Sequence, residues 1–165
     1  MKLLPRLGGV AAAAALVLVV GAGPASANTT RYHKSDGTVV SITTPGTVSA
    51  TYGRQTQFPV TVSVDGPSPL RIAWEKLLTP YGPDNQNAFD GLSIPQLGCW
   101  GKTLTSGQSC TSQVRFAPTF VGTRTEAYML ATGLGNMQAR FTATGVPCGR
   151  VCQVRAPVGP PLASQ

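Results

Sequence analysis

The sequence Cys110-Thr111-Ser112-Gln113-Val114-Arg115-Phe116 decides the fold class of this 165-residue chain. Its even-numbered side chains are small or apolar, and its odd-numbered side chains are polar. This period of two is typical of a β-strand that buries one face. Pro118 follows shortly afterwards and ends the predicted strand, because proline has no backbone N–H to donate.

Similar alternation recurs along the chain on both sides of that strand. The residues predicted to face a core are Val40, Ile42, Phe58, Val60, Val62, Val64, Leu70, Ile72, Trp74, Ala127, Met129, Ala131, Met137, Ala139, Phe141 and Ala143. Phe89, Leu92, Ile94 and Leu97 have a weak periodicity and are predicted to form an edge strand, because Pro95 interrupts them. Short strands separated by turns about every 8–12 residues predict an all-β fold. We expect an immunoglobulin-like antiparallel β-sandwich of about seven strands spanning residues 37–147.

The last two predicted strands form a hairpin across Thr132–Asn136. Their inner faces must both meet the core, which restricts the register to steps of two. The simplest register pairs Met129 with Ala139, and therefore Tyr128 with Arg140 on the outer face.

Composition excludes several protein classes. Glycine and proline together supply 33 of the 165 residues, and charged residues make up 12%. This glycine and proline share stays below the roughly 25–30% that indicates disorder, and the charged share is too low for a coiled coil. The formal net charge of +7 favours weak association with anionic envelope polymers, and solubility alone is an equally good explanation of it.

Residues 1–27 have the pattern of a secretory signal peptide. Lys2 and Arg6 precede an apolar run from Val10 to Val20, which is too short to span a bilayer of about 30 Å. Small side chains at Ala25 and Ala27 predict cleavage before Asn28. The mature chain then has 138 residues, in which 11 basic residues face 6 acidic ones. We expect a secreted protein with no membrane span after cleavage, beginning with a flexible polar segment over 28–36.

All four cysteines lie in the predicted mature chain. Export favours disulfides, and four cysteines allow three pairings. Proximity in sequence favours Cys99–Cys110 and Cys148–Cys152. The alternative, a four-cysteine zinc site, is disfavoured because ten residues separate the first two cysteines, whereas zinc sites prefer two to four. Residues 148–165 are predicted to form a cysteine-containing turn and a proline-rich tail.

A family resemblance is carried by the segment from Cys99 to Thr119. It contains a Cys, a Leu, a Gly turn, a second Cys and the motif Val-x-Phe-x-Pro-Thr, and it is followed by Gly122-Thr123 and by a closing Gly145. The pattern resembles the bacterial choice-of-anchor D domain, which is similar to the ASPM–SPD-2–Hydin group and to major sperm protein. The resemblance implies an immunoglobulin-like sandwich in an exported, non-catalytic module.

Catalytic motifs are not found in the sequence. The single histidine, His33, lies in the polar start of the mature chain, where no partner for general-base catalysis is expected. Asp84 and Asp90 flank one polar loop, and a solvated pair is favoured over a glycosidase pair. The same loop has oxygen ligands without the spacing of an EF-hand calcium site. We therefore expect no enzyme activity and no cofactor or metal.

Three residues are candidates for contact with a partner. Trp100 lies between Cys99 and Gly101, with Lys102 nearby, and Tyr81 lies in a proline- and glycine-rich loop. An exposed tryptophan stacks on sugar rings or anchors a protein interface. The alternative for Trp100 is packing against the Cys99–Cys110 disulfide. The arginines are scattered over different predicted strands, which argues against nucleic-acid binding.

Two functions follow as hypotheses. The first is a secreted, non-enzymatic immunoglobulin-like module with a binding, adhesive or structural role in the bacterial envelope or extracellular space, where its partner is an envelope polymer or protein. The second is a secreted effector or inhibitor that docks on a protein through the Trp100 and Tyr81 loops.

Overall fold

The computed structural model describes residues 26–78 and 91–149, and these residues form ten β-strands. The strands are β1 (Ala27–His33), β2 (Val39–Pro45), β3 (Thr47–Thr51), β4 (Thr56–Asp65), β5 (Leu70–Leu78), β6 (Leu92–Gln96), β7 (Thr103–Leu104), β8 (Ser109–Phe116), β9 (Gly122–Thr132) and β10 (Gly135–Val146). None of the described residues belongs to a helix long and apolar enough to cross a membrane.

The strands form two five-stranded sheets. One sheet has the order β1-β2-β4-β8-β6, and the other has the order β3-β10-β9-β5-β7. All neighbouring strands are antiparallel except β3 and β10, which pair in parallel. The predicted all-β immunoglobulin-like sandwich is therefore confirmed, with more strands than the seven expected.

The core lies between the two sheets and follows the predicted alternation in most strands. On β4 and β8 the apolar side chains point inward, and Val60, Val114 and Phe116 have no exposed surface. Phe58 of one sheet contacts Phe141 of the other edge to face, with ring centroids 5.3 Å apart. Aromatic and β-branched side chains from both sheets thus fill the interior.

The predicted edge strand is confirmed over Leu92–Gln96 as β6, and Phe89, where the prediction began, lies outside the described residues. This strand lies at the border of its sheet and pairs only with β8 in the described part of the chain. The pairing shifts between Ser93 and Gln96, on either side of Pro95. A proline is tolerated at this border because its missing N–H faces away from the ladder.

The expectation of a flexible segment over 28–36 is wrong for its first six residues. They form most of β1, which pairs with β2 from Ala27 opposite Pro45 to His33 opposite Val39. Tyr32 faces inward, and its hydroxyl lies 2.6 Å from the Gln138 carbonyl and 2.7 Å from the Gln138 N–H of the other sheet. The segment has no apolar periodicity, because its side chains are mostly polar. It is nevertheless a strand, because its backbone pairs with β2 and because Tyr32 bonds to Gln138.

The predicted hairpin register is also wrong, by one residue. Tyr128 lies opposite Ala139, and Met129 lies opposite Gln138. The cause is the turn, which holds two residues between Thr132 and Gly135 where five were expected. Gly135 closes the turn with a φ of 108°, which favours glycine. A shift of one residue exchanges the faces of β9, so Tyr128 and not Met129 enters the core.

Candidate functional site

A β-bulge in β5 creates the site. The pairing of β5 with β9 shifts between Ile72 and Trp74, so the strand resumes with its faces exchanged. Leu70 and Ile72 point inward before the bulge, and Glu75 and Leu77 point inward after it. The prediction that Trp74 faces the core is therefore wrong, because the extra residue turns its indole to the outer face.

The inward turn of Glu75 places a carboxyl group in the core, where only 3% of the residue is exposed. Its Oε2 accepts hydrogen bonds from the hydroxyls of Tyr128 on β9 and Ser112 on β8, the latter at 2.6 Å. Burial raises the pKa of the Tyr128 hydroxyl, and the hydrogen bond to Glu75 adds to this effect. This polar cluster links the two sheets, because Ser112 belongs to one sheet and Glu75 and Tyr128 belong to the other.

The polar cluster also anchors the loop that carries Trp100. The Ser112 hydroxyl accepts the backbone N–H of Gly98 at 3.0 Å and that of Cys99 at 3.2 Å. Gly98 lies flush against β8, since a Cβ at this position would lie 1.8 Å from the Thr111 carbonyl oxygen. Only glycine therefore lets this loop approach β8 so closely.

The predicted disulfide fixes the same loop covalently. Cys99 and Cys110 are bonded with their Cα atoms 5.3 Å apart, and both are buried. At the far end of the loop, the Lys102 carbonyl accepts the N–H of Ile72 on β5 at 2.8 Å. The loop from Cys99 to Lys102 is thus attached to both sheets, and Trp100 projects from its middle.

Trp100 is 54% exposed, so it does not pack away against the disulfide. It lines a surface groove of about 260 Å³ together with Trp74, Glu75 and Lys76. The Lys76 ammonium lies 4.8 Å from the centre of the Trp74 ring, a favourable cation–π contact. Two tryptophans that are 26 positions apart in the sequence therefore share one solvent-accessible groove.

The remaining sequence-predicted site residues are distributed as follows. Lys102 is exposed beside Trp100, whereas Tyr81, Asp84 and Asp90 lie outside the described residues. Ala27 and Asn28 begin β1, and Ala25 lies outside the described residues. Cys148 is disulfide-bonded, and Cys152, its predicted partner, lies outside the described residues.

Side chains that could bind a metal ion do not cluster in the described part of the chain. His33 is exposed at the end of β1. Within residues 26–78 and 91–149, no group of three His, Cys, Asp or Glu side chains is placed to hold a metal ion.

Sequence reasoning missed Trp74 and the cluster formed by Glu75 and Tyr128. Leu77 is the single large apolar residue at an odd position in this strand, because Trp74 and Leu78 continue the even positions of the earlier apolar residues. The sequence pattern alone therefore does not distinguish a bulge from an uninterrupted strand. The role of Tyr128 depended on the hairpin turn, which the sequence pattern did not resolve.

A second buried carboxyl group lies away from the groove. Glu126 of β9 is opposite Phe141 and is only 1% exposed, and neither of its oxygens has a hydrogen-bond partner. Burial raises the pKa of this carboxyl to about 7, and the charge of Arg124 offsets only part of the effect. The group is stable in the interior mainly in its neutral form.

The described residues define an immunoglobulin-like β-sandwich with an aromatic groove fixed at one border. Neither a family model nor a curated protein matches the chain.

Solved structures match with low identity. The secreted serine protease VesC from Vibrio cholerae is 13% identical over 71% of this chain and 23% of that chain, with a TM-score of 0.48. The sialic acid binding region of a Streptococcus sanguinis SK1 adhesin is 22% identical over 66% of this chain and 30% of that chain, with a TM-score of 0.46. The ASH/PapD-like domain 7 of human CEP192 is 11% identical over 85% of this chain and 98% of that chain, with a TM-score of 0.44.

The match covers only part of the first two proteins, about a quarter of VesC and just under a third of the adhesin region. Identities and TM-scores of this size assign neither a ligand nor an activity to this chain.

Proposed function

We propose that this protein is a secreted, non-enzymatic immunoglobulin-like module that binds a polymer or protein of the bacterial envelope or extracellular space through the groove between Trp74 and Trp100. The observation that carries the proposal is the exposure of Trp100 on a loop that is fixed at both ends. A disulfide and the Ser112 hydroxyl hold one end, and the backbone of β5 holds the other.

A fixed, exposed tryptophan favours binding for two reasons. Its large ring buries much apolar area when a partner covers it, and aromatic anchors of this kind dominate many interfaces. The fixed loop has already lost its conformational freedom on folding, so little further entropy is lost on binding. Trp74 extends the apolar surface of the groove, and Lys76 provides a charge beside it.

Secretion is supported by the signal-peptide pattern of residues 1–27 and by the disulfide between Cys99 and Cys110. Disulfides persist in oxidising compartments outside the cytosol. The resemblance of residues 99–145 to the choice-of-anchor D domain supports the same compartment.

A non-enzymatic role is supported by the partners of the described side chains. The Glu75 carboxyl group is occupied by hydrogen bonds within the core, and Glu126 is buried away from the groove. Neither has the open position beside a nucleophile or water that general acid–base catalysis needs. The groove is lined by two tryptophans, by Lys76 and by Glu75, whose carboxyl group is turned into the core.

The proposal is tested by incubating the protein with isolated bacterial cell wall and, separately, with immobilised extracellular proteins. Wild type is expected to be retained, and Trp100→Ala is expected to weaken retention about tenfold. Val121→Ala is the matched control, because Val121 is 59% exposed and lies in the β8–β9 loop, outside the groove. Equal retention of Trp100→Ala, Val121→Ala and wild type on every surface would contradict the proposal.

The second hypothesis, an effector or inhibitor that docks on a protein, uses the same exposed tryptophan. It predicts a captured protein whose binding is sensitive to Trp100→Ala, together with no retention on the cell wall. That outcome would replace the envelope role by the docking role.

A further inference from the structure

One basic side chain lines the aromatic groove, and two more lie within three residues of its tryptophans in the sequence. Lys76 lines it, and Lys102 is exposed two residues after Trp100. Arg71 is exposed on β5 opposite Thr103, next to Lys102 along the chain. Arg71 and Lys76 therefore lie on β5, which also carries Trp74, and Lys102 lies in the loop that carries Trp100.

Glu75, the carboxyl residue that lines the groove, is turned into the core and accepts hydrogen bonds from Ser112 and Tyr128. The described residues include four carboxyl side chains, and Glu75 and Glu126 are both buried in the core. Asp36 lies in the turn between β1 and β2, and Asp65 ends β4 in the opposite sheet, where it accepts a hydrogen bond from Ser106. The same residues include nine lysines and arginines, so the exposed charge is strongly positive.

The combination of charge and aromatic surface indicates the chemistry of the ligand. Positive charge concentrates an anionic polymer near the groove and steers its approach. The indole of Trp100 offers an apolar face on which a sugar ring stacks.

We propose that the groove binds an acidic polysaccharide, with a sugar ring stacked on Trp100 and the anionic groups of the polymer paired with Arg71, Lys76 and Lys102. This inference rests on the proposed function and specifies its ligand. The shared chemistry is a sugar-containing chain with repeated negative charge, whether from carboxylates or from phosphodiesters.

The test uses affinity electrophoresis of the protein in gels that contain one polymer each. The polymers are polygalacturonate, which carries carboxylates, a wall teichoic acid, which carries phosphodiesters, and dextran, which is neutral. Retardation by at least one acidic polymer is expected. It should decrease as salt is raised from about 0.05 to 0.5 M, because added ions screen the attraction between the basic side chains and the polymer. Retardation by both acidic polymers identifies repeated negative charge as the recognised feature, and retardation by one identifies which anionic group is preferred.

Charge variants separate this inference from general attraction to a basic protein. Arg71→Gln, Lys76→Gln and Lys102→Gln are each expected to weaken binding about two- to fivefold at low salt. Arg31→Gln is the matched control, since Arg31 is exposed on β1 of the opposite sheet and loses the same charge. Thermal unfolding of each variant verifies that the fold is retained.

Three results would overturn the acidic-polysaccharide assignment. Equal retardation by dextran and by both acidic polymers, with Trp100→Ala still defective on cell wall, rejects the anionic ligand and leaves the proposed function intact. Equal losses in Arg31→Gln and in the three groove variants show that net charge and not the groove attracts the polymer. Tighter binding to single-stranded DNA than to either acidic polymer also rejects the assignment.

Discussion

The hydroxyl of Tyr128 on β9 donates a hydrogen bond to Oε2 of Glu75 on β5 in the interior of the sandwich. Glu75 reaches this position because the bulge after Ile72 exchanges the faces of the strand, and the same exchange turns Trp74 outward. The buried polar cluster and the exposed aromatic groove are therefore two consequences of one inserted residue.

The first prediction concerns that hydrogen bond. Tyr128→Phe removes one donor to a buried carboxyl group and is expected to lower the free energy of unfolding by about 1–3 kcal/mol. Urea denaturation measures the change. Tyr52→Phe is the matched control, because Tyr52 is 43% exposed, and a surface hydroxyl is expected to change stability by less than about 0.5 kcal/mol. Equal effects of the two substitutions would show that the buried hydrogen bond contributes nothing.

The second prediction concerns the Cys99–Cys110 disulfide. The double variant Cys99→Ala/Cys110→Ala is expected to lose roughly 3 kcal/mol of stability, because the unfolded chain is no longer constrained by the bond. It should also weaken binding at the groove, since the loop of Trp100 is released at one end. Peptide mapping without reduction should recover the Cys99–Cys110 pair. A peptide that joins Cys99 to Cys148 would contradict the structure.

The third prediction is a pH dependence that comes from Glu126. Its pKa is about 7 in the folded protein against an ordinary value of 4.5, so the folded state binds more protons than the unfolded state between these values. Stability should therefore be fully present below pH 4.5 and fall as pH rises through about 7, by at most about 1.4 kcal/mol per pH unit.

Glu126→Gln isolates this effect. The variant should remove the decline between pH 4.5 and 7, because an amide does not ionise. Asp65→Asn, which removes an exposed carboxylate, should leave the decline unchanged. Thermal unfolding measured at half-unit steps of pH distinguishes the two variants. A decline that persists in Glu126→Gln would assign it to another group.

The fourth prediction concerns the attachment of β1. Tyr32→Phe removes the hydroxyl that bonds to both the N–H and the carbonyl of Gln138, and it is expected to cost about 1 kcal/mol of stability. The Gln138 amide should then exchange its hydrogen faster, since it loses its acceptor. Unchanged exchange at Gln138 would mean that β1 does not protect this part of β10.

The fifth prediction concerns processing at the N-terminus. The protein recovered from the medium of a secreting host is expected to begin at Asn28, which N-terminal sequencing detects. Replacing Ala27 by a bulky residue such as Phe should block cleavage, because the peptidase admits small side chains at this position. If the exported protein still begins with Met1, the prediction of a cleaved signal peptide is wrong.

Much of the architecture was predictable because local alternation reports burial directly. Phe58 through Val64 and Cys110 through Phe116 alternate without interruption, and both segments form strands with the expected inward faces. Proximity in sequence also identified the Cys99–Cys110 bond. These features depend on neighbouring residues, so a single sequence contains them.

The errors arose where distant parts of the chain decide a local conformation. Ala27–His33 has little apolar periodicity, yet it forms β1 because β2 offers a free edge and Gln138 offers partners for Tyr32. The face of β9 was misassigned because the turn between Thr132 and Gly135 is shorter than its composition indicated.

The sequence by itself determined that this protein is an all-β sandwich with a disulfide near Trp100, because alternation, turn residues and cysteine spacing are local properties. Tertiary structure alone decided that Trp74 leaves the core, that Glu75 enters it, and that Trp74 and Trp100 share a groove. Those outcomes depend on the register between β5 and β9, and a register is a relationship between two strands that neither strand encodes alone.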